Sequence, residues 1–250
     1  MNAELPATIT RDAKFRIAFQ PIINSSSGDV YAYHALVRGS NGEGAEAILA
    51  GVGPNQRAGF DRRCRIAAIR SAVAAGINRT RARLAVNIMP DAIDSPLRDG
   101  QQTIEMAQHF GMSPRRLMFE FGAHDALDPD RLTDVIKACR RCGFATTLDG
   151  FGVESNGADL LYKFAPDFIK LESGLVGGIA GSWSRRVIAE NLVSLASDLR
   201  IKVIAEGVET AADMERMRGL GIEYFQGNFL CEPEVGAFPA FDESKLTTSP

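Results

Sequence analysis

This 250-residue chain has few cysteines, no surplus of positive charge, no long apolar run and no low-complexity linker. Each absence excludes something. Cys64 and Cys231 stand alone, and Cys139-Arg140-Arg141-Cys142 has CxxC spacing without a second thiol pair or nearby histidine to complete a zinc site. That pair closes an amphipathic stretch rather than following a strand into a helix, so all four thiols are expected to be structural, buried or half-buried. A chain this long builds a core without disulfide staples. The net charge of −3 provides no general basic field, so no nucleic-acid partner is expected. No run approaches the roughly 18 apolar residues of a membrane span. Met1-Asn2-Ala3-Glu4-Leu5-Pro6 shows neither a basic leader nor an apolar h-region, and a cytoplasmic location is the resulting expectation.

The composition is that of an ordinary globular domain, 45% hydrophobic and 24% charged. Short β-type runs alternate with amphipathic stretches. Phe15 to Ile23 and Val30 to Val37 flank a Ser-Ser-Ser-Gly-Asp turn and read as a hairpin. Helical spacing follows over Gly59 to Ala75, with Phe60, Ile66, Ile69 and Val73 on one face and Arg62, Arg63 and Arg70 elsewhere. Further strands are read at Leu84 to Ile88, Leu117 to Phe121, Phe144 to Asp149, Asp167 to Leu171, Ile201 to Glu206 and Tyr224 to Gly227. The helices between them fall at Thr103 to Phe110, Asp130 to Arg141, Gly157 to Phe164, Arg185 to Leu199 and Ala211 to Leu220. Repeated strand–helix units without an interrupting linker favour one α/β domain, a modified TIM (β/α)8 barrel with an irregular first hairpin. Its expected bounds are residues 15–241, between a flexible segment over 1–14 and a loose tail over 242–250.

Strand after strand ends in a polar residue: Asn87, Glu120, Asp149, Lys170, Glu206 and Gln226. One polar strand end means only that the strand has reached solvent. Six in succession, mostly acids and amides, point to a shared site at the C-terminal rim of a parallel barrel. Carboxylates with an amide oxygen suit hard cations such as Mg²⁺ or Mn²⁺. Two such ions can clamp a phosphodiester and activate water, and a lysine can balance the developing charge.

Taken in order, these segments resemble the EAL domain family of bacterial cyclic-di-GMP phosphodiesterases. Phe19-Gln20-Pro21-Ile22 is similar to the family's opening strand, and Ala35-Leu36-Val37-Arg38 to the end of its signature. Val86-Asn87-Ile88-Met89, Phe119-Glu120-Phe121, Ile169-Lys170-Leu171-Glu172 and the intact Ala205-Glu206-Gly207-Val208-Glu209-Thr210 follow, and Gln226-Gly227 with Pro233 matches the closing segment. The resemblance implies that Asn87, Glu120 and Asp149 ligate metal, that Glu206 is the bridging or general-base carboxylate, and that Lys170 assists at the water. It places Gln20, Arg38, Asp149, Glu209 and Gln226 on the ligand side.

Departures from the pattern carry the functional expectation. His34 stands for the signature glutamate, Gly150 for a second aspartate, Ala123 for the second glutamate of the ExTE motif, and Val153 and Glu154 for a threonine and glycine of the following loop. Two hard oxygen ligands are lost. Glycine offers no replacement, and imidazole suits Mn²⁺ or Zn²⁺ better than Mg²⁺. The expectation is a catalytically inactive module in cyclic-di-GMP-related signalling, needing no cofactor, that acts through a regulatory protein not specified by any motif. Cyclic di-GMP binding stays open, as does a homodimer. The competing expectation is an active or weakly active phosphodiesterase with Mg²⁺ or Mn²⁺ at a residual site that includes His34. His109 and His124 read as surface residues.

Overall fold

A computed structural model describes residues 15–122, 128–152, 161 and 165–247. The chain opens with β1 (Phe15–Asn24) and β2 (Val30–Gly39), then α1 (Ala45–Leu49), α2 (Arg57–Ala75), β3 (Arg83–Asn87), α3 (Pro96–His109), β4 (Leu117–Gly122), α4 (Pro129–Arg141) and β5 (Ala145–Phe151). It continues with β6 (Phe168–Leu171), α5 (Ser173–Val176), α6 (Trp183–Asp198), β7 (Lys202–Ala205), α7 (Ala211–Gly219), β8 (Tyr224–Phe225), β9 (Glu234–Val235) and α8 (Ser244–Thr247).

The strands form one sheet in the order β2-β3-β4-β5-β6-β7-β8-β1-β9, and β1 also pairs with β2. That second pairing closes the barrel. Strands β2 to β8 are parallel neighbours, whereas β1 runs antiparallel to both β2 and β8. The hairpin turn has a local cause: the Asn24 side-chain oxygen accepts from the backbone N–H groups of Ser26 at 2.9 Å and Ser27 at 3.2 Å. The resulting register sets Gln20 opposite His34. The modified barrel expected from the sequence is thus observed.

Strand alternation builds the interior in layers. Ile22, Ala32, Ala85, Met118, Phe168, Ile204 and Tyr224 form a buried apolar cluster of their own. Two residues further along each parallel strand stand His34, Asn87, Glu120, Lys170, Glu206 and Gln226. On antiparallel β1 the count runs backwards, from Ile22 to Gln20. Thus the residues at the rim are all one pleat above a common apolar floor.

Several boundaries differ from the sequence reading. Helix α3 starts at Pro96, because a proline costs nothing at the first helical position, whose N–H has no intrahelical partner. The Glu234–Val235 strand was missed; it is too short to show a period and exists by pairing with Ala18–Phe19. Beyond Phe241, where a loose tail was expected, α8 is tied down by Lys245 Nζ donating to Phe229 O at 2.6 Å and by Arg218 Nη2 donating to Leu246 O at 2.9 Å. The helix expected over 157–164 lies outside the described residues except for Leu161, as does the segment 1–14.

All four cysteines are free. Burial pushes the Cys64 and Cys139 thiols up to about 12, which leaves them unreactive. A Cβ added to Gly100 would come within 2.7 Å of Cys142 Sγ, so the second thiol of the CxxC pair fills a close contact between α3 and α4.

Candidate functional site

The polar layer closes around Lys170. Its ammonium lies 3.0 Å from Glu120 Oε2, 3.2 Å from Glu206 Oε1 and 3.7 Å from Asp149 Oδ1. Lys170 and Glu120 are fully buried, whereas Asp149 and Glu206 keep 22% and 28% of their side chains exposed. Burial alone would drive the lysine toward neutrality, but the three carboxylates overcome it and raise its pKa. Burial pushes Glu120 up to about 7, against the pull of Lys170. Glu206 is also raised to about 7, by burial against the pull of Lys170 and with the help of its neighbour Asp149. Burial would raise Asp149 too, yet Lys170 and hydrogen bonds with Glu206 and the Gly150 N–H hold it below the usual range.

His34 is built into the same layer, 2% exposed. Its Nδ1 faces Lys170 Nζ at 3.4 Å and Gln226 Nε2 at 3.2 Å. An ammonium can only donate, so Nδ1 is the accepting nitrogen and Nε2 carries the proton. Nε2 lies 3.2 Å from Glu120 Oε2 and donates to it; the Asn87 side-chain amide, 2.9 Å from the same nitrogen, then presents its oxygen to the ring rather than its NH2 group. Burial first, and then Lys170, lowers His34 to about 3, so the ring stays neutral. A neutral imidazole therefore occupies the space of the missing carboxylate and is bonded on both sides.

Gly150 sits in β5 at φ +70°, where the β5–β6 pairing shifts register between Leu148 and Phe151. Its N–H donates to Asp149 Oδ1 at 2.8 Å, so one oxygen of Asp149 is already engaged. An aspartate here would have to adopt the left-handed region, which Asp tolerates better than most residues.

Gln20 and Gln226 link the network to the closing loop. Gln226 Nε2 donates to Gln20 Oε1 at 2.9 Å, and Gln20 Nε2 donates to Asn228 Oδ1 at 3.2 Å and Cys231 O at 3.0 Å. Gly227 permits this arrangement: a Cβ there would lie 2.2 Å from Val208 O and 2.3 Å from Val208 N. The segment after β7 therefore rests directly on the segment after β8, with Val208 N–H donating to Gln226 O at 3.0 Å.

The structure thus brings Gln20, His34, Asn87, Glu120, Asp149, Lys170, Glu206 and Gln226 together. Arg38 is half-buried, and its Nη1 donates to Val37 O at 3.0 Å. Glu209 is exposed on the loop before α7, outside the network. Ala123, Val153, Glu154 and His124 lie outside the described residues, and His109 is exposed at the end of α3. Residues not singled out from the sequence hold the frame. Thr210 caps α7 by accepting from Asp213 N–H at 3.1 Å, and the Asp213 carboxylate accepts from Thr210 Oγ1 at 2.7 Å. Asp61 pairs with Arg65 at 3.0 Å inside α2 and accepts from Met89 N–H at 3.0 Å, fixing the loop that follows Asn87. An Asp and Arg four apart on a helix is a legible pair, but the sequence alone did not show that it faced inward.

Among the described residues, no group of three or more His, Cys, Asp or Glu side chains is arranged to hold a metal ion. The three carboxylates converge on the Lys170 ammonium instead. Glu120 Oε1 is buried with no hydrogen-bond partner among those residues.

Fold and site together define an α/β barrel with a buried acid–lysine centre at the C-terminal ends of its parallel strands. The chain belongs to the EAL domain family, whose model matches residues 2–233. A standalone versatile EAL protein from Vibrio cholerae, solved with c-di-GMP bound, matches with a TM-score of 0.88 at 32% identity, covering 96% of this chain and 100% of that one. BlrP1 from Klebsiella pneumoniae, in a manganese/cy-diGMP complex, matches with a TM-score of 0.82 at 26% identity over 94% of this chain and 59% of that one. The blue light- and temperature-regulated antirepressor BluF of Escherichia coli is 23% identical over 224 residues, 89% of this chain and 55% of that protein. The cyclic di-GMP phosphodiesterase NbdA of Pseudomonas aeruginosa is 27% identical over 252 residues, 93% of this chain and 30% of that protein. The chain spans 55%, 41% and 31% of the first three curated relatives it matches. No helix among the described residues is long and apolar enough to cross a membrane.

Proposed function

We propose that this chain is a catalytically inactive EAL module that works in cyclic-di-GMP-related signalling through contact with another protein. The observation that carries this reading is the neutral His34 ring, locked between Lys170, Gln226 and Glu120 where the family pattern has an acid. Gly150 contributes no oxygen at the second altered position. Asn87, Glu120, Asp149 and Glu206 are the residues that would hold a cation, and together they suit one Mg²⁺ or Mn²⁺ rather than a pair. A bound ion there would polarise a phosphoryl oxygen and acidify water. This chain's own residues instead direct their charge inward, with Lys170 setting one positive charge among the carboxylates that would otherwise attract that ion.

The regulatory part of the reading draws support from BluF, a relative whose name describes an antirepressor rather than an enzyme. Gln20 and Gln226 are hydrogen-bonded to each other and to the closing loop, so binding of the dinucleotide would require them to exchange partners. A second reading, residual hydrolysis of cyclic di-GMP to its linear dinucleotide, is favoured by Glu120 Oε1, a buried carboxylate oxygen without a partner among the described residues. The deciding experiment is incubation with cyclic di-GMP in Mg²⁺ or Mn²⁺ with chromatographic detection of product. Sustained turnover overturns the inactive reading. Calorimetry with Ca²⁺ and without metal then separates a nucleotide receptor from a module that responds to protein alone.

A further inference from the structure

The opposite end of the barrel carries a cavity that the acid–lysine centre does not explain. It has a volume of about 450 Å³ and lies among the N-terminal ends of the strands, where Arg83 begins β3, Phe168 begins β6 and Lys202 begins β7. Four cations from separate elements line it: Arg83, Arg140 at the end of α4, Arg200 after α6, and Lys202. None of the four makes a salt bridge within the described residues. The carboxylate in the lining, Asp167, is turned to Thr146, accepting from its N–H at 2.8 Å and its Oγ1 at 2.9 Å. In a chain of net charge −3, this concentration of positive charge around a concavity is a local reversal of sign.

The cations are held in place. Arg83 lies 6.0 Å over the Tyr31 ring, and Lys202 lies 5.6 Å and 5.5 Å over Phe168 and Tyr224. Those three rings pack on one another at centroid distances of 4.9 to 5.3 Å, and two of them, Tyr31 and Phe168, line the cavity. Arg140 donates to Ala165 O and Arg83 to Arg115 O, which orients both guanidinium groups. A merely solvated basic face would need neither the rings nor the anchors.

Arg200 adds an independent sign. It is the non-glycine residue with positive φ among the described residues, at +59°. Its N–H donates to Ser197 O and the next N–H to Ala196 O, the helix-ending pattern that normally has glycine in this position. Helices α2, α3, α4 and α7 are each followed by such a glycine, at Gly76, Gly111, Gly143 and Gly221. Helix α6 instead sets a charged side chain there, in the lining of the cavity, and accepts the backbone strain.

We infer that this cavity is a binding site for a small, multiply charged phosphate compound, held by the Arg83, Arg140 and Arg200 guanidinium groups and the Lys202 ammonium. Arginine forks match phosphoryl oxygens in pairs, and the volume suits a compact ligand rather than a peptide or a nucleic acid. The inference is independent of whether the opposite rim hydrolyses anything.

The test is calorimetric titration of the full chain with inorganic pyrophosphate at low salt. Saturable binding with Kd of about 0.1 mM is expected, weakening by about tenfold or more in the double variant Arg140→Gln/Lys202→Gln. Arg200→Gly should weaken binding while raising Tm by about 2 °C, since it relieves the left-handed residue. Binding lost together with a lowered Tm in that variant would overturn the role of Arg200. No saturable heat at low-millimolar pyrophosphate, or equal heat in the double variant, would overturn the site. So would capture of phosphatidylglycerol vesicles without any response to pyrophosphate, which would mark the patch as a membrane surface.

Discussion

Replacing Lys170 by methionine isolates the electrostatic logic of the rim. The two side chains are similar in length, so the apolar stem keeps its place while the ammonium disappears. Glu120, Asp149 and Glu206 then lose the charge that lies 3.0 to 3.7 Å from their oxygens. Removing one partner from a buried ion pair costs about 3–5 kcal/mol, chiefly because the other charge stays buried. Here the cost should depend on pH. Glu120 has a folded pKa of about 7, above its ordinary 4.5, so the folded state gains stability from its proton at low pH and loses that gain as pH rises through 7. Without Lys170 this pKa rises further, and the variant takes up a proton that the parent protein does not hold between about pH 7 and 8.5. Each pH unit in that window changes the difference by about 1.4 kcal/mol. Urea unfolding followed by circular dichroism should therefore give a loss of about 4 kcal/mol at pH 8.5 and about 2 kcal/mol at pH 6.5. Adding Glu120→Gln to the variant should recover much of the loss at pH 8.5, because Glu120 is the fully buried acid of the three. A loss below about 1 kcal/mol, or the same loss at both pH values, would show that the lysine does not serve as the counter-ion of this site.

Three further outcomes follow from the same geometry. The pair His34→Glu and Gly150→Asp should restore binding of Mn²⁺ measured by calorimetry, at a stability cost of about 1 kcal/mol for the left-handed aspartate; no gain in affinity would place the lesion in the loop carrying Val153 and Glu154. Gly227→Ala should destabilise by about 2 kcal/mol or more, because its Cβ meets Val208 backbone rather than a movable side chain. An unchanged urea midpoint would contradict the close approach. Thr210→Ala should cost about 1 kcal/mol by uncapping α7, with Thr210→Ser retaining most of it; equal losses in both would remove the capping role.

The order of apolar and polar residues along the chain was sufficient to announce a barrel. Each parallel strand shows two apolar faces and then a polar end, a pattern that any sheet buried on both sides must have. The same pattern named Asn87, Glu120, Asp149, Lys170, Glu206 and Gln226, because each follows directly on an apolar run and so falls at the C-terminal end of its strand. Cys139 and Cys142 were readable as structural for want of further ligands. Local signals also fixed the turn after Asn24, although not the strand at Glu234–Val235, which has no period of its own and depends on β1 as a template.

Tertiary structure alone decided what those polar residues do to one another. That Lys170 would be enclosed by three acids, and that His34 would be neutral and bonded on both sides, depends on which strands are neighbours and on the exclusion of water, quantities that a linear chain does not carry. The basic cavity at the other end is the clearest case. Arg83, Arg140 and the neighbouring Arg200 and Lys202 lie far apart along the sequence, and they become a site only because barrel closure brings the starts of distant strands and the ends of two helices to the same concave surface.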